Sequence, residues 1–327
     1  MLAMHIVNRH SRPLSRWSWL SVALAAACLH AAPAQADLAR TFVSSANGDD
    51  AKDCGRATPC RTFQRAHDAT LPNGEITVLD PGGYGAVTIT KTISIINDGV
   101  GEAGVLVSGG LNGITINAGA SDAVSLRGLT VKGIGFGGGN GIVFNTGKSL
   151  AVENCAIRNL NTNIADAGID FAPSTPGALS VSNTLVADNA TGIRVRQVGS
   201  ATAKAMFSRV EASGNAGEGF TIGSLGTGNI DVAISDSVAA GNGARGVRVL
   251  STNAKANVMV IRSVIAHNNT GLSASGQTAT LWFGQSTVTG NALSWSVAAG
   301  AVLRSYGDNN IEGNADGDPL PLTIVKK

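Results

Sequence analysis

The sequence feature that most constrains the fold is a repeated unit, a glycine followed by a short strand of alternating residues. It occurs as GIVFN, GIDFA, GIRVR, GFTIG, GVRVL and GLSAS, which begin at Gly141, Gly168, Gly192, Gly219, Gly246 and Gly271. The spacings are 27, 24, 27, 27 and 25 residues. A period in the twenties, with no helix between the strands, indicates a solenoid in which each repeat packs against its neighbours.

A second track runs in phase with the first and ends in asparagine. Its segments VSNTLVADN, FSRVEASGN, ISDSVAAGN, IRSVIAHNN and FGQSTVTGN reach Asn189, Asn215, Asn242, Asn269 and Asn291. Asparagine tolerates left-handed backbone angles at a turn, and stacked amides can form hydrogen bonds from coil to coil. We therefore expect these five residues to form a column that satisfies the polar groups of one corner.

The strand composition selects one type of solenoid. Leucine-rich repeats need a fixed leucine framework, whereas the inward positions here mix Ile, Val, Phe, Ala and Leu. Short alternating strands bounded by Gly, Asn, Ser and Asp favour an all-β, single-stranded parallel β-helix with three strands per coil. We count about ten coils. The segment PCRTFQRAHDAT, residues 59–70, predicts a short capping helix with Phe63, Ala66 and His67 on its buried side.

The N-terminus predicts export from the cytoplasm. Three arginines precede the apolar run WLSVALAAACL, and the small residues Ala34 and Ala36 flank Gln35. This pattern is typical of a signal peptide over residues 1–36, so we expect a secreted or periplasmic protein without a membrane segment in its mature form. Its removal lowers Lys+Arg from 24 to 21 against 22 Asp+Glu. A near-neutral mature chain argues against nucleic acid as a partner.

The three remaining cysteines fit an oxidising compartment. Cys54 and Cys60 enclose a short loop, and we expect a local disulfide between them within an N-terminal cap over residues 37–75. A zinc site is the weaker alternative, because there is no second cysteine pair. Cys155 is interpreted as a buried apolar residue. The β-helix then covers residues 76–327, and we expect a monomer.

Over residues 40–325 the chain resembles secreted bacterial right-handed parallel β-helix proteins of the pectin-lyase-like superfamily. The segment TFVSSANGDDAKDCGRATPCRTFQRAHDAT, followed by ITVLDPGGYGAVTITKTISIIN, is similar to the first coil of many members. The resemblance implies a right-handed coil and a substrate cleft along the glycine-led strands. It does not choose among lyases, hydrolases, esterases, epimerases and members without known chemistry.

The segment GEGFTIGSLG, residues 217–226, resembles a motif of polygalacturonases. In this alignment Glu218 stands where that family has histidine, Arg248 stands at the arginine, and Leu250 replaces the lysine. Ala190 and Thr191 occupy the places of the paired aspartates. Because inverting hydrolysis needs an acid and a base carboxyl, the comparison implies shared coil geometry without the shared chemistry.

Strand alternation predicts which residues of the glycine-led strands face outward, namely Asp170, Arg194, Arg196 and Arg248 among others. Arginines can bind the carboxylates of uronic acids or sulfate groups with paired hydrogen bonds. We therefore predict that these four residues bind substrate. The alternative is an exposed ion pair between Asp170 and Arg194, with the other arginines as ordinary solvated surface.

The resulting hypothesis is a non-catalytic β-helix that recognises carbohydrate, with acidic polysaccharide as the candidate ligand, or that serves a cell-surface role. An alternative is a polysaccharide lyase or glycoside hydrolase, with Arg194 or Arg248 as base and Asp170 or Glu218 as acid or as ligand of an ion. A third is an adhesin-like surface protein. Neither a cofactor nor a metal is required, although Asp49, Asp50 and Asp53 are candidates for a calcium site on a loop.

Overall fold

The computed structural model describes residues 38–134, 138–161, 163–197 and 199–326, and shows a parallel β-helix. The predicted signal peptide, residues 1–36, lies outside the described residues. The strands form two parallel sheets, of 19 and nine strands, and the larger sheet bends through β14 and β16 so that each coil has three sides. We call these sides faces 1, 2 and 3 in their order along the chain, and face 3 is the nine-stranded sheet. No helix within the described ranges is long and apolar enough to cross a membrane.

The strands, numbered in chain order, stack in register with their equivalents in the next coil. The first strand, β1 (Leu38–Val43), pairs with the first strand of face 1. Face 1 contains β2 (Thr70–Val78), β5 (Ile93–Ile96), β8 (Ala123–Arg127), β11 (Ser149–Glu153), the first parts of β14 (Gly177–Ala187) and β16 (Ala203–Ser213), β18 (Ile230–Ser235), β21 (Ala256–Ile261), β24 (Ala279–Gly284) and β27 (Val302–Ser305).

The other two faces complete each coil. Face 2 contains β3 (Gly82–Gly83), β6 (Ala103–Val107), β9 (Leu129–Gly133), β12 (Ala156–Arg158), the second parts of β14 and β16, β19 (Val238–Ala240), β22 (Val264–Ala266), β25 (Thr287–Thr289) and β28 (Asn310–Ile311). Face 3 contains β4 (Val87–Ile89), β7 (Ile114–Asn117), β10 (Ile142–Thr146), β13 (Ala167–Phe171), β15 (Thr191–Gln197), β17 (Phe220–Ser224), β20 (Arg245–Ser251), β23 (Thr270–Ser275) and β26 (Leu293–Ala298).

The number of complete turns is about eight, because the nine stacked strands of face 3 are separated by eight intervals. The sequence estimate of about ten coils was therefore too high. The difference arises at the two ends. At the N-terminal end, a helix lies beside the first strand of face 3, where a further coil would have its face 3 strand. At the C-terminal end, the chain after Ala298 supplies strands to faces 1 and 2 only.

The core is the single column of side chains enclosed by the three faces. Alternation with the predicted outward residues places eight positions of β13, β15, β17 and β20 inward, and all eight are buried, namely Ile169, Phe171, Ile193, Val195, Phe220, Ile222, Val247 and Val249. Aromatic rings also stack between coils, as in the Phe144–Phe171 pair with ring centroids 4.7 Å apart. Strand alternation thus predicted the inward positions of face 3 correctly.

The repeated glycine is required by the close approach of successive coils. A Cβ atom at Gly192 would lie 2.5 Å from the carbonyl oxygen of Gly219, the equivalent glycine of the next coil. The same atom would lie 2.9 Å from the side-chain amide nitrogen of Asn215. Any other residue would push the coils apart at this corner, because both distances are shorter than van der Waals contact.

The predicted asparagine column is present, with one residue assigned wrongly. Asn189, Asn215, Asn242, Asn268, Asn291 and Asn314 are buried, and each of the first five donates its side-chain amide to the next. The exposed Asn269 is not a member, and its neighbour Asn268 takes the place. The left-handed backbone angle belongs to the residue before each of these asparagines, for example Asp188 with φ 57° and His267 with φ 57°.

The N-terminal cap consists of the helix α1 (Phe63–Ala69) and the Cys54–Cys60 disulfide, and both were predicted. The helix is shorter than the expected segment and buries Phe63, Ala66 and His67. Its side chains cover the open edge of face 3. The backbone N–H of Thr88 donates to Gln64, and that of Thr90 donates to the imidazole of His67.

The C-terminal segment covers part of the opposite end. Ser305 of the last face 1 strand donates its N–H to the carbonyl of Leu322, and Ile324 donates back to the carbonyl of Ser305. Trp295 donates its indole N–H to the carbonyl of Pro319 and packs against the core. These contacts satisfy backbone groups that a further coil would otherwise bind.

Candidate functional site

The outer surface of face 3 carries a row of polar side chains set by the strand register. Asp170, Arg194, Thr221, Arg248 and Ser273 are partners in successive strands from β13 to β23. They are therefore separated by one inter-strand spacing each, about 4.8 Å. The structure brings together the residues that the sequence analysis predicted on this face.

Asp170 is the centre of the first cluster, and two arginines bind it. Arg194 donates to both carboxylate oxygens at 3.1 and 3.2 Å, and Arg196 does so at 2.9 and 2.8 Å. The ion pair between Asp170 and Arg194 that was considered as the alternative is present, but it is not exposed on the Asp170 side, because that side chain is only 2% exposed. The carboxylate points outward, as alternation requires, but the two guanidinium groups cover it.

The charge state of Asp170 follows from these contacts. Burial by itself raises the pKa of a carboxyl group. The hydrogen bonds from Arg196 and Arg194 outweigh this effect and hold the pKa of Asp170 below its ordinary value. A carboxylate that stays ionised, with both oxygens bound, is unsuited to the acid role considered for it.

Glu218 forms a second cluster of the same kind. Its Oε1 atom accepts hydrogen bonds from Arg245 at 3.1 Å and from Arg248 at 3.2 Å. The sequence analysis did not select Arg245. A signal was present, because Arg245 precedes Gly246 in the repeat just as Glu218 precedes Gly219, and equivalent positions stack in a solenoid.

Two polar atoms of this face are buried without a hydrogen-bond partner among the described residues, the Oδ2 of Asp166 and the Oγ1 of Thr221. Asp166 lies at the start of β13 and is 8% exposed. Burial raises its pKa, and the charge of nearby Arg194 opposes this effect. Because native proteins rarely leave buried polar atoms unpaired, both atoms mark places where a water molecule or a ligand group would bind.

The two clusters together define what we call the arginine face, namely Asp170, Arg194, Arg196, Glu218, Arg245 and Arg248. It contains four guanidinium groups and two carboxylates. Each arginine has five N–H donors and uses only some of them on the carboxylates. The remaining donors, held in fixed positions by the ion pairs, can bind anionic groups of a ligand.

The other predicted site residues are separate from this face. Asp50 accepts hydrogen bonds from the backbone of Arg61 and Thr62 ahead of α1, and Asp53 accepts from Gly55 and Thr58. Within the described ranges, no group of three metal-binding side chains is found, so Asp49, Asp50 and Asp53 do not form the calcium cluster considered.

Cys155 is buried, and this burial raises its pKa to about 11. The thiol therefore stays protonated at neutral pH. This state agrees with its interpretation as a small apolar residue.

Comparisons with known proteins agree with this architecture. The family described as right handed beta helix region matches residues 112–293, more than half of the chain. No curated protein matches the sequence. The structure is similar to that of pectate lyase Pel9A, with a TM-score of 0.57 and 16% identity over 87% of this chain and 82% of that one.

Two further solved structures are similar at lower scores. The A-module of mannuronan C-5 epimerase AlgE4 from Azotobacter vinelandii has a TM-score of 0.42 and 14% identity, over 78% of this chain and 91% of that one. Pectin methylesterase from Aspergillus niger has a TM-score of 0.43 and 12% identity, over 90% and 92% of the two chains. The coil architecture and the match over residues 112–293 agree, and the chain belongs to the right-handed parallel β-helix family.

Proposed function

We propose that this protein binds acidic polysaccharide on the arginine face, outside the cytoplasm, and does not cleave it. The observation that carries the proposal is the pairing of each carboxylate with two arginines. Asp170 is bound by Arg194 and Arg196, and Glu218 is bound by Arg245 and Arg248. Four cations against two anions leave an excess of positive charge on one side of the coil.

The arrangement suits an extended anionic chain. The guanidinium groups come from two strands, β15 and β20, which lie on either side of β17, so their positions repeat along the coil axis. Planar guanidinium groups bind carboxylate or sulfate with paired hydrogen bonds. Because the ion pairs already fix the arginine side chains, little conformational entropy is lost when a ligand binds.

The non-catalytic part of the proposal rests on the state of the carboxylates. Both acids considered for catalysis, Asp170 and Glu218, are engaged by two arginines each. The structural similarity to pectate lyase Pel9A supports the fold and not the activity, since the identity is 16%.

The test removes one arginine from each pair, so that neither carboxylate loses all its partners. We expect the Arg196→Gln, Arg248→Gln double variant to bind pectate and alginate at least about tenfold more weakly than the wild type, a loss near 1.4 kcal/mol. The measurement is isothermal titration calorimetry at two salt concentrations, because ionic contacts weaken with added salt.

The matched control is Lys148→Gln, Lys255→Gln, which removes two exposed cations from other parts of the coil. We expect its affinity to stay within about twofold of the wild type. Equal losses in both double variants would contradict a specific site. If the wild type binds neither pectate nor alginate, the proposal is contradicted, and an adhesin-like role with a protein partner becomes the favoured hypothesis.

A catalytic alternative is favoured by one observation, the buried carboxyl of Asp166 beside Arg194. Its raised pKa would suit a proton donor. In that case the wild type would release unsaturated products or new reducing ends from pectate or alginate, and Asp166→Asn would abolish the release. We expect no products from the wild type.

A further inference from the structure

A second surface, on face 1, has a different chemistry. A hollow of about 670 Å³ lies near the C-terminal end of the chain. Its lining consists of Met259, Ile261, Trp282, Tyr306, Ile324, Val325 and Lys326. The sheet supplies one wall, and the C-terminal segment supplies the other. This hollow is formed by different strands from those of the arginine face.

The register of face 1 places Tyr306 against the sheet beside Trp282. Gly284 is the partner of Ile261 in the next coil, and it brings no side chain to this position. A Cβ atom there would lie 3.0 Å from the ring of Tyr306. Trp282, which is the partner of Met259, points outward two residues before Gly284 and lines the hollow together with Tyr306.

The two aromatic side chains of the hollow retain free polar groups. Among the described residues, neither the indole N–H of Trp282 nor the hydroxyl of Tyr306 has a hydrogen-bond partner. The other tyrosine and tryptophan within the described ranges have internal partners, since Tyr84 donates to Asp80 and Trp295 donates to the carbonyl of Pro319. An aromatic surface with an unused donor beside it is typical of a binding site rather than of packing.

The hollow continues along face 1 as a shallow trough. A second hollow of about 320 Å³ shares Met259 and Trp282 with the first and also touches Lys204, Asp231 and Asn257. A third, of about 390 Å³, shares Lys204 and has a floor of small side chains that includes Ala151 and Ser180. The trough therefore crosses successive coils, which suits an extended chain.

The charged groups that line the trough are balanced, in contrast to those of the arginine face. Lys204 lies with Asp231 beside the second hollow, and Asp231 accepts a hydrogen bond from Asn257. Lys326 is paired with Asp308 at 2.5 Å. A site without excess charge gives no advantage to an anionic ligand over a neutral one.

We infer that this trough is a binding site for a neutral polysaccharide, with one sugar ring stacked on Trp282. The C–H face of a pyranose ring packs on the indole, and the ring hydroxyls can accept hydrogen bonds from the Trp282 N–H and the Tyr306 hydroxyl. The small side chains on the floor let the rest of the chain lie close to the sheet. The inference is independent of the function proposed for the arginine face.

The test measures binding of hydroxyethyl cellulose, galactomannan and dextran by the wild type and three variants. We expect at least one of these polymers to bind, and Trp282→Ala to weaken its binding about tenfold or more. Trp282→Phe keeps an aromatic ring and should lose about threefold. Tyr306→Phe keeps the ring but removes the hydroxyl, and it should lose about fivefold, the usual effect of one hydrogen bond.

The control is the Arg196→Gln, Arg248→Gln variant, which should bind the neutral polymer as the wild type does. Conversely, Trp282→Ala should bind pectate with the affinity of the wild type. The two binding sites are therefore tested independently of each other. The inference is overturned if none of the three polymers binds, or if Trp282→Ala leaves the binding of the neutral polymer intact. It is also overturned if that variant loses pectate binding instead.

Discussion

Asp170 shows how one buried carboxylate can fix the positions of two arginines. It is 2% exposed, and its four hydrogen bonds come from Arg194 and Arg196. Alternation along β13 fixes the outward direction of its side chain, but its burial depends on side chains from the next coil. A residue that the sequence analysis expected to bind a ligand directly is therefore better described as a group that orients two arginines.

At this scale we predict that Asp170→Asn destabilises the fold by about 2 to 3 kcal/mol at neutral pH, because the arginines lose a buried ionised partner. The pKa of Asp170 is below its ordinary value of 3.8 in the folded state. Its contribution is therefore fully present above about pH 5 and is lost as the pH falls through the folded pKa. Urea unfolding of both proteins at pH 7 and pH 3 measures the difference, which should shrink at pH 3.

Asp236→Asn is the matched control for this prediction. Asp236 also accepts two hydrogen bonds from an arginine one coil later, Arg262, but both side chains are exposed. We expect a much smaller loss, because solvent screens an exposed pair. A loss as large as that of Asp170→Asn would show that burial does not set the strength of these contacts.

At the scale of a structural element, the asparagine ladder holds one corner of successive coils together. Asn242 accepts hydrogen bonds from the backbone and side chain of Asn215, and it donates to Ala212 and Asn268. The turn needs two residue types in sequence, one that adopts a left-handed angle and one whose amide reaches the next coil. Both requirements were assigned to the asparagine in the sequence analysis, and the structure divides them between two residues.

The ladder predicts a large difference between two similar substitutions. Asn242→Ala should cost about 3 kcal/mol of unfolding free energy, because buried backbone groups of Asn215 and Ala212 lose their partners. Asn269→Ala should change the free energy by less than about 0.5 kcal/mol, since Asn269 is exposed. Urea unfolding checks both values. Equal effects would mean that the ladder is not a main source of stability.

At the scale of the whole molecule, the stack of equivalent coils presents two surfaces of different chemistry. The arginine face has excess positive charge, and the trough of face 1 is apolar with balanced charges. Each coil contacts only its neighbours, so the two surfaces can differ without any change in the core. That the chain is a monomer and is exported remains a prediction.

The nearest-neighbour organisation predicts that a complete coil can be removed. Deletion of residues 216–242 joins Asn215 to Gly243, so every strand keeps an equivalent partner and the ladder continues from Asn215 to Asn268. We expect a protein that still folds cooperatively, with a urea m-value lower by about a tenth. Circular dichroism and urea unfolding are the measurements.

The control deletes residues 230–242, which removes strands from faces 1 and 2 but leaves β17 of face 3. This change shifts the register of all later coils, so we expect no cooperative unfolding transition. Normal folding of the half-coil deletion would contradict the stacked arrangement.

The sequence by itself determined the solenoid, the inward positions, the capping helix and the disulfide. These follow from the repeat, from alternation and from residue types such as the glycine before each face 3 strand, all of which are local properties. The estimate of the number of turns was too high, because the irregular ends of the chain do not follow the repeat.

Only the tertiary structure decided how the outward side chains combine. Arg245 belongs to the arginine face, Asn268 takes the ladder position expected for Asn269, Asp170 is buried, and Tyr306 packs over Gly284 beside Trp282. Each outcome depends on the register between coils and on how long side chains fold over their neighbours. The pattern within one strand carries no information about either.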